Sequence, residues 1–235
     1  CWLPAGRRRA SDQAMFRHIR CVLFDLDGTL IDSALDLALA ADEMRVARGM
    51  PSLPATAYRA SAGSGARGML AIAFGLTPYH QDFAALREEF LDRYERRLTC
   101  LTRPFEQVEE LLATLNLRGV VWGVVTNKHR RFTLPLTATM PMFRRAGVIV
   151  SGDSTPYSKP HPAPILEAMR QLDVEAGDCL YVGDDERDML AGRAAGVATV
   201  AASYGYLGPD ASIERWPADA VIHRPADLLK LIDLA

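Results

Sequence analysis

Apolar residues follow two different periods along the chain, and the change of period marks how the chain is organised. Residues 19–24 form a short apolar run that precedes the turn-forming pair Asp27-Gly28, which predicts a strand followed by a tight loop. Between residues 32 and 103 the period becomes helical. This block contains two apolar helix faces, one made by Leu37, Ala41 and Met44 and the other by Phe83, Leu86, Phe90, Tyr94 and Leu98. It has no good strand pattern, so we predict a helical domain inserted after the first strand.

From residue 104 onward, short apolar runs alternate with helical patterns. The runs predict strands at 120–125, 148–150, 179–182, 199–202 and 220–222, with helices at 105–117, from 130 onward, 162–172, 186–195 and 226–234. Nearly continuous apolar strands that alternate with helices are typical of a parallel sheet covered on both faces. We therefore predict an α/β fold with a core at 19–31 and 104–235, a helical domain at 32–103 and a disordered lead at 1–18.

Length and charge narrow the classes of function. At 235 residues the chain is long enough for one α/β core with a small inserted domain. The formal net charge of -2 provides no basic field that would collect nucleic acid, so a small molecule is the expected partner. No apolar stretch approaches the ~18 residues of a membrane helix. The three arginines at 7–9 precede no apolar segment, so a secretory signal is not expected.

The four cysteines, Cys1, Cys21, Cys100 and Cys179, are far apart in the sequence. Cys21 and Cys179 fall inside apolar runs that predict buried strands. This pattern favours a reducing compartment, and we expect the protein in the cytoplasm.

Polar residues follow the predicted strands at the points where the strands end. In an open parallel sheet, ligands bind beyond the carboxyl ends of the strands, so these residues are the candidate site. They are Asp25-Leu26-Asp27-Gly28-Thr29, Thr126-Asn127, Ser158-Lys159-Pro160 in a loop, and Gly183-Asp184-Asp185 with Asp188 beyond. Each alone has an ordinary explanation as a turn, a helix cap or a loop. Together they combine carboxylates with a cation in a way that indicates a phosphate site.

The spacing of the first motif suits covalent chemistry on a phosphate. Asp25 and Asp27 can both face one site if the loop curls, and Gly28 supplies the backbone freedom for the curl. One carboxylate can attack while the other handles protons. Adding Asp184 makes an oxygen-rich site that suits Mg²⁺ bound together with a substrate phosphate, and Lys159 adds a positive charge for the phosphoryl oxygens.

This set of residues resembles motifs one to four of the haloacid dehalogenase superfamily. The resemblance extends from Val22 to the C-terminus, and the helical insertion resembles the cap of the group that includes the phosphoglycolate phosphatases. It implies a Rossmann-like, doubly wound parallel sheet and a helical cap domain that closes over the substrate. The activity it implies is hydrolysis of a phosphate monoester through an aspartyl-phosphate, with Mg²⁺ as the cofactor.

The resemblance also implies a role for each residue. Asp25 would be the nucleophile, and Asp27 would protonate the departing alkoxide and then activate water. The expected phosphate contacts are the backbone N–H groups around Leu26 and Asp27 together with Thr126, Asn127 and Lys159. The expected metal ligands are Asp25, the carbonyl of Asp27 and Asp184, while Asp185 and Asp188 would orient Lys159 or bound water.

Substrate choice is expected to depend on the cap, where residues 61–68 precede an apolar helical stretch. A segment rich in glycine and serine is also typical of a flexible turn between helices. As a substrate contact, Gly65-Ala66-Arg67 would meet an anionic part of the substrate, for which a carboxylate is the natural partner. Both 2-phosphoglycolate and N-acetylmuramate 6-phosphate carry a carboxylate.

Short further signals favour the second of these substrates. Gly65-Ala66-Arg67, residues 122–128 and Tyr204-Gly205-Tyr206 are similar to the cell-wall-recycling N-acetylmuramate 6-phosphate phosphatases, although His129 stands where proline usually follows Thr-Asn-Lys. We therefore expect N-acetylmuramate 6-phosphate, with 2-phosphoglycolate as the alternative. A sugar-phosphate mutase and an inactive phosphosugar-binding protein are further alternatives. Binding alone would need neither Asp25 nor Asp27, which disfavours the last of them.

Overall fold

The structure is a computed structural model that describes residues 15–208 and 211–233. Most of the predicted disordered lead, residues 1–14, lies outside the described residues. The chain is already ordered at Phe16, ahead of the predicted end of the lead at residue 18. The N–H of Phe16 donates to the Leu231 carbonyl at 2.8 Å, and its own carbonyl accepts from the N–H of Asp233 at 2.8 Å. The start of the described chain is therefore tied to the C-terminal segment.

Six parallel strands form the central sheet, in the order β5-β4-β1-β6-β7-β8. The strands are β1 Cys21–Phe24, β4 Val121–Val125, β5 Val148–Val150, β6 Cys179–Gly183, β7 Ala198–Ala202 and β8 Ala220–Ile222. The strand order reverses at β1, which pairs with β4 on one side and with β6 on the other. This reversal makes the sheet doubly wound and places a crevice beyond the carboxyl end of β1. The predicted α/β, Rossmann-like fold is confirmed.

Helices cover both faces of this sheet. They are α5 Val108–Leu117, α6 Arg130–Thr139, α7 Ala163–Leu172, α8 Glu186–Ala195 and α9 Leu228–Leu231. Along β1, Val22 and Phe24 belong to one buried apolar cluster, while Cys21 and Leu23 belong to another on the opposite face. The two clusters follow from the alternation of side chains in a strand, and they explain why the run is apolar at every position.

Two predicted helix boundaries are wrong. The helix predicted at 105–117 begins at Val108, because Gln107 adopts a left-handed backbone with φ of 70°. The helix predicted at 226–234 is reduced to α9, which follows a short 3-10 turn. Ile232 leaves the helix for an extended conformation and forms a bridge with Phe16. Pairing with a distant segment, which no local pattern encodes, therefore ends this helix early.

Four helices lie between the first strand and the rest of the core: α1 Ala34–Val46, α2 Ala55–Arg59, α3 Gly65–Phe74 and α4 Phe83–Arg97. We call them the inserted helices. The first predicted apolar face is buried against its neighbours, whereas the second is buried at Phe90, Tyr94 and Leu98 and only half-buried at Phe83 and Leu86. Within residues 15–208 and 211–233, no helix is both long enough and apolar enough to cross a bilayer.

The chain leaves and rejoins the core through a short antiparallel ladder that the sequence pattern missed. Its strands are β2 Ile31–Asp32 and β3 Arg103–Pro104, in which Ile31 pairs with Pro104 and Asp32 with Arg103. A strand of two residues is too short to show a periodic pattern. The ladder holds the two ends of the inserted helices side by side.

A buried carboxylate strengthens this junction. Asp36, in the first turn of α1, is fully buried, and its Oδ2 accepts from the N–H groups of Leu101 and Thr102 at 2.9 and 2.8 Å. The hydroxyl of Thr102 donates to the same oxygen at 2.8 Å. One carboxylate therefore connects the beginning of the inserted helices to their end.

Asp36→Ala should lower the free energy of unfolding by about 2–4 kcal/mol, because it leaves buried donors without an acceptor. A denaturant titration measures this as a lower midpoint with an unchanged slope. Asp82→Ala is the matched control, since the Asp82 side chain is 62% exposed and its loss should change stability by less than about 0.5 kcal/mol. Equal midpoints for the two variants would contradict the role given to Asp36.

Candidate active site

A buried lysine lies at the centre of the crevice beyond β1. The side chain of Lys159 is 2% exposed, and its ammonium lies 2.8 Å from Asp25 Oδ1 and 2.7 Å from Asp188 Oδ1. It also donates to the Tyr181 hydroxyl at 2.8 Å and to the Val125 carbonyl at 3.0 Å. Burial opposes the charge, but Asp188 and Asp25 outweigh it and raise the pKa of Lys159. The lysine is therefore a fixed cation that joins three neighbouring strands.

Asn127 holds the loop that carries this lysine. Its side-chain amide donates to the Lys159 carbonyl at 2.9 Å and accepts from the Lys159 N–H at 2.9 Å. The sequence predicted that Asn127 would bind phosphate. Its side-chain amide instead forms a two-bond clamp on the loop, and its effect on a bound phosphate would pass through Lys159.

Three carboxylates form a cluster here, and two of them contact the ammonium of Lys159. Oxygen atoms of Asp25, Asp184 and Asp188 lie within 4.8 Å of one another. Asp184 is anchored on both sides, because Oδ1 accepts from the Thr29 hydroxyl at 3.1 Å and Oδ2 from the Tyr206 N–H at 2.7 Å. Burial, Asp25 and Asp188 together raise the pKa of Asp184 well above its usual value. Full ionisation of the three carboxylates would therefore exceed the charge that Lys159 alone balances.

This arrangement suits a hard divalent cation. Burial and the nearby negative charge of Asp25 also raise the pKa of Asp188, although Lys159 opposes the shift. A cation with oxygen ligands would remove this repulsion. The backbone at Gly28 and Gly205 lies so close to Asp184 that neither position has room for a side chain. A Cβ on Gly28 would overlap the Asp184 carboxylate, and a Cβ on Gly205 would overlap the Asp184 Cβ. The predicted ligands Asp25 and Asp184 are in this cluster, and Asp188, predicted to act behind them, completes it.

The carboxylate of Asp27 points away from the cluster. It accepts from the ammonium of Lys128 at 3.0 and 3.1 Å and from the hydroxyl of Ser33 at 2.5 Å. Lys128 also donates to the Tyr94 hydroxyl at 2.7 Å. The side chain of Asp27 therefore has a set of partners separate from the carboxylate cluster. That its backbone carbonyl binds a metal stays a prediction.

Sequence reasoning did not identify the partners of Asp27. Lys128 directly follows Thr126-Asn127 at a strand end, so its position could have marked it as a candidate. Tyr94 carried no such signal, because it lies on an apolar helix face and matches a core position. Thr126, predicted to bind phosphate, is buried, and its hydroxyl accepts from the N–H of Lys128 at 3.1 Å.

Asp185 has a structural position. Its side chain accepts from the N–H of Arg187 and caps α8, while Asp188 Oδ2 accepts from the Asp185 N–H in a reciprocal capping box. The guanidinium of Arg187 lies 2.7 Å from the Asp185 carboxylate and donates to the Gly63 carbonyl at 2.9 Å. Asp185 was predicted to orient Lys159 or water, whereas its contacts cap α8 and hold Arg187, which reaches Gly63 in the turn before α3.

A cavity of about 490 Å³ lies between these residues and the inserted helices. Its floor comes from the core and its roof from the insertion, where Leu37, Phe83, Phe90 and Leu91 provide an apolar wall. The predicted specificity residues Gly65, Ala66 and Arg67 all line it, although they form the first turn of α3 where a loop was predicted. Arg87 of α4 is a second cation on the roof, which the sequence reasoning missed. Among the described residues, the guanidinium of Arg67 has no hydrogen-bond or ion-pair partner.

Leu26 closes the loop that follows Asp25. Its carbonyl accepts from the N–H groups of Leu30 and Ile31 at 2.9 and 3.0 Å, which curls the chain directly after Asp25. The N–H of Asp25 donates to the Val182 carbonyl of β6 at 2.9 Å, so the residue is still held by the sheet. The backbone that carries the Asp25 carboxylate into the crevice is therefore fixed by hydrogen bonds to the sheet.

Known proteins share this architecture. The N-acetylmuramic acid 6-phosphate phosphatase of Pseudomonas aeruginosa is 41% identical over 217 residues, which is 92% of this chain and 96% of that protein. The phosphoglycolate phosphatase of Xanthomonas campestris pv. campestris is 43% identical over 216 residues, or 90% and 96% of the two chains. The crystal structure of a predicted phosphoglycolate phosphatase from Haemophilus somnus superposes with a TM-score of 0.79 at 28% identity, covering 91% of this chain and 98% of that one.

The family model for haloacid dehalogenase-like hydrolases matches residues 22–202. That range runs from the second residue of β1 to the last residue of β7 and includes all four of the predicted motifs. Because the match spans most of the chain, the protein belongs to the haloacid dehalogenase-like hydrolase family.

Proposed function

We propose that the protein is a Mg²⁺-dependent phosphatase that forms an aspartyl-phosphate on Asp25 and acts on N-acetylmuramate 6-phosphate. The observation that carries the proposal is the buried contact of Lys159 with Asp25 at the floor of a cavity that also holds an unpaired arginine on its roof. The two features suit the two ends of one substrate, a phosphate at the floor and a carboxylate at the roof. We propose further that residues 32–103 form a cap over the substrate.

The reaction requires two displacements at phosphorus. Asp25 supplies a carboxylate oxygen that bonds to phosphorus as the ester oxygen leaves, and Asp27 gives the leaving oxygen its proton. Asp27 then takes a proton from water, whose oxygen bonds to phosphorus and releases Asp25 as a carboxylate. Lys159 fixes the orientation of Asp25 and balances the charge of the phosphoryl oxygens, while Thr126 contributes a hydroxyl beside them.

Mg²⁺ would be held by Asp25, Asp184 and the Asp27 carbonyl, with Asp188 beside them, and it would neutralise the phosphate against the carboxylates. The described carboxylates support this assignment, because their burial and their mutual repulsion favour a cation between them. A cytoplasmic location stays a prediction.

The size of the cavity favours a sugar phosphate over a two-carbon acid. Cavities of a few hundred Å³ typically enclose a ligand of drug size, and this cavity holds about 490 Å³. Phosphoglycolate would fill a small part of that space and would leave the apolar wall of Phe83 and Phe90 without a partner. The 43% identity to a phosphoglycolate phosphatase keeps 2-phosphoglycolate as the second candidate.

Asp25→Asn should reduce kcat at least about a thousandfold for every phosphate ester, because an amide oxygen does not form the intermediate. The measurement is steady-state phosphate release, together with acid trapping of labelled phospho-enzyme from the wild type and the variant. Thermal unfolding supplies the control, and the midpoint should stay equal or rise, since one of the crowded charges is removed. Turnover near the wild-type value would refute Asp25 as nucleophile.

Removal of metal with EDTA should abolish phosphate release, and added Mg²⁺ should restore it. Binding without catalysis can be followed as well, because a ligand at a hundredfold excess over its Kd stabilises the folded state by about 2.7 kcal/mol. Mg²⁺ should therefore raise the unfolding midpoint of the wild type and not that of Asp184→Asn. Asp178→Asn is the matched control, since Asp178 lies at the opposite end of β6 from Asp184. An equal response of both variants would contradict the site.

Arg67→Met should lower kcat/KM for N-acetylmuramate 6-phosphate by about ten- to a hundredfold, the value of one charged hydrogen bond. N-acetylglucosamine 6-phosphate lacks the lactyl carboxylate, so its kcat/KM should change by less than about threefold. Arg96→Met is the control, because Arg96 is exposed on α4 and does not line the cavity. Higher wild-type kcat/KM for 2-phosphoglycolate than for either sugar would reassign the substrate.

A further inference from the structure

Lys128 has a set of contacts that the proposed reaction leaves unexplained. Its side chain is 8% exposed, and its ammonium has three protons to donate. The three acceptors it meets are both carboxylate oxygens of Asp27 and the hydroxyl of Tyr94. Its donor capacity is thereby filled by protein groups. Lys128 lines the cavity, but its contacts are those of a residue that holds Asp27 in place.

The backbone of Lys128 is fixed on the core side. Its N–H donates to the Thr126 hydroxyl at 3.1 Å, and its carbonyl accepts from the Thr133 hydroxyl at 3.0 Å and from the Gly152 N–H at 2.8 Å. The side chain therefore starts from a rigid turn between β4 and α6. Only its far end depends on the inserted helices.

Tyr94 fixes that far end. It projects from α4, is buried, and stacks on Phe90 with ring centroids 6.2 Å apart. Its ring also packs against Phe132 of the core helix α6, with centroids 5.6 Å apart, and the ammonium of Lys128 lies 4.7 Å from the Tyr94 ring centroid. The position of the phenol therefore depends on α4 lying against α6.

The second partner of Asp27 also belongs to the boundary of the insertion. Ser33 precedes α1 and donates its hydroxyl to Asp27 Oδ1, while its N–H donates to the Tyr206 hydroxyl at 2.6 Å. The Asp27 carboxylate is thus held from two directions, by Ser33 at the start of α1 and by Lys128 through α4. Ser33 is tied to Tyr206 of the core, so the support that depends on the position of α4 is the one through Lys128 and Tyr94.

We propose that Lys128 is a positioning residue that holds the Asp27 carboxylate in line with the ester oxygen. Lys128 does so only when α4 packs on α6, because Tyr94 of α4 then fixes its ammonium. Transfer of the Asp27 proton to the departing ester oxygen is in this way coupled to closure of the inserted helices over the substrate. The inference rests on the proposed function, since it assigns Lys128 and Tyr94 to the step in which Asp27 acts.

The test compares phosphate esters that differ in their need for a proton. Phenyl phosphate releases a basic phenolate and depends on Asp27, whereas p-nitrophenyl phosphate releases a stable anion and depends on it little. In Lys128→Met, kcat/KM for phenyl phosphate should fall about ten- to a hundredfold, with a fall of less than about threefold for p-nitrophenyl phosphate. Tyr94→Phe keeps the packed ring and removes one hydrogen bond, so kcat/KM for phenyl phosphate should fall about fivefold.

Arg131→Met tests the dependence on the helix contact. Arg131 reaches from α6 to α4, where it lies 2.7 Å from Asp92 and 2.6 Å from Glu95. Weakening this contact should lower kcat/KM for phenyl phosphate more than kcat/KM for p-nitrophenyl phosphate, because the hold on Asp27 depends on it.

Arg170→Met is the matched control and should leave both values unchanged, since Arg170 pairs with Glu167 within α7 and does not line the cavity. If Lys128→Met affected both esters equally, or neither, the positioning role would be overturned. Failure of the wild type to hydrolyse any ester would instead overturn the proposed function.

Discussion

The structure depends on the placement of one ammonium among buried carboxylates. Lys159 contacts Asp25 and Asp188 while it also binds backbone and phenol oxygens from the strands on either side. Isolated buried carboxylates would be costly, because low-polarity surroundings neither solvate their charges nor screen their mutual repulsion. The lysine compensates part of that cost and leaves the remainder for a cation. This partial compensation is why the same group of side chains is both tightly packed and suited to bind anionic phosphate together with metal.

Much of this could be predicted from the sequence, for a specific physical reason. A parallel sheet brings the carboxyl ends of its strands to one edge, so Asp25, Thr126 and Asp184 could be placed together from three apolar runs alone. The family resemblance added the order of the motifs. Strand positions were predicted well because strands buried on both faces are apolar at nearly every residue, as in β4 and β6.

The remaining features depend on contacts between distant segments. Lys128 meets Tyr94 across 34 residues and Arg187 meets Gly63 across 124, and neither pair shares a local pattern. The clamp of Asn127 on the Lys159 backbone also joins distant segments. It could not be predicted because an asparagine after a strand is equally suited to a cap, a turn or a ligand contact. The last helix was predicted too long because Ile232 pairs with Phe16, which lies at the other end of the described chain.

The short ladder of β2 and β3 has a consequence for how such proteins diversify. Because Ile31 and Pro104 are paired neighbours, the insertion leaves and re-enters the core at adjacent positions, as a hairpin loop does. Lengthening a loop adds little free energy once its ends are joined, so residues can be gained, lost or exchanged between these two points without altering the register of the core. Under the proposed function, the residues that act on phosphorus are constrained by the sheet, whereas the insertion that covers the substrate can change independently of them.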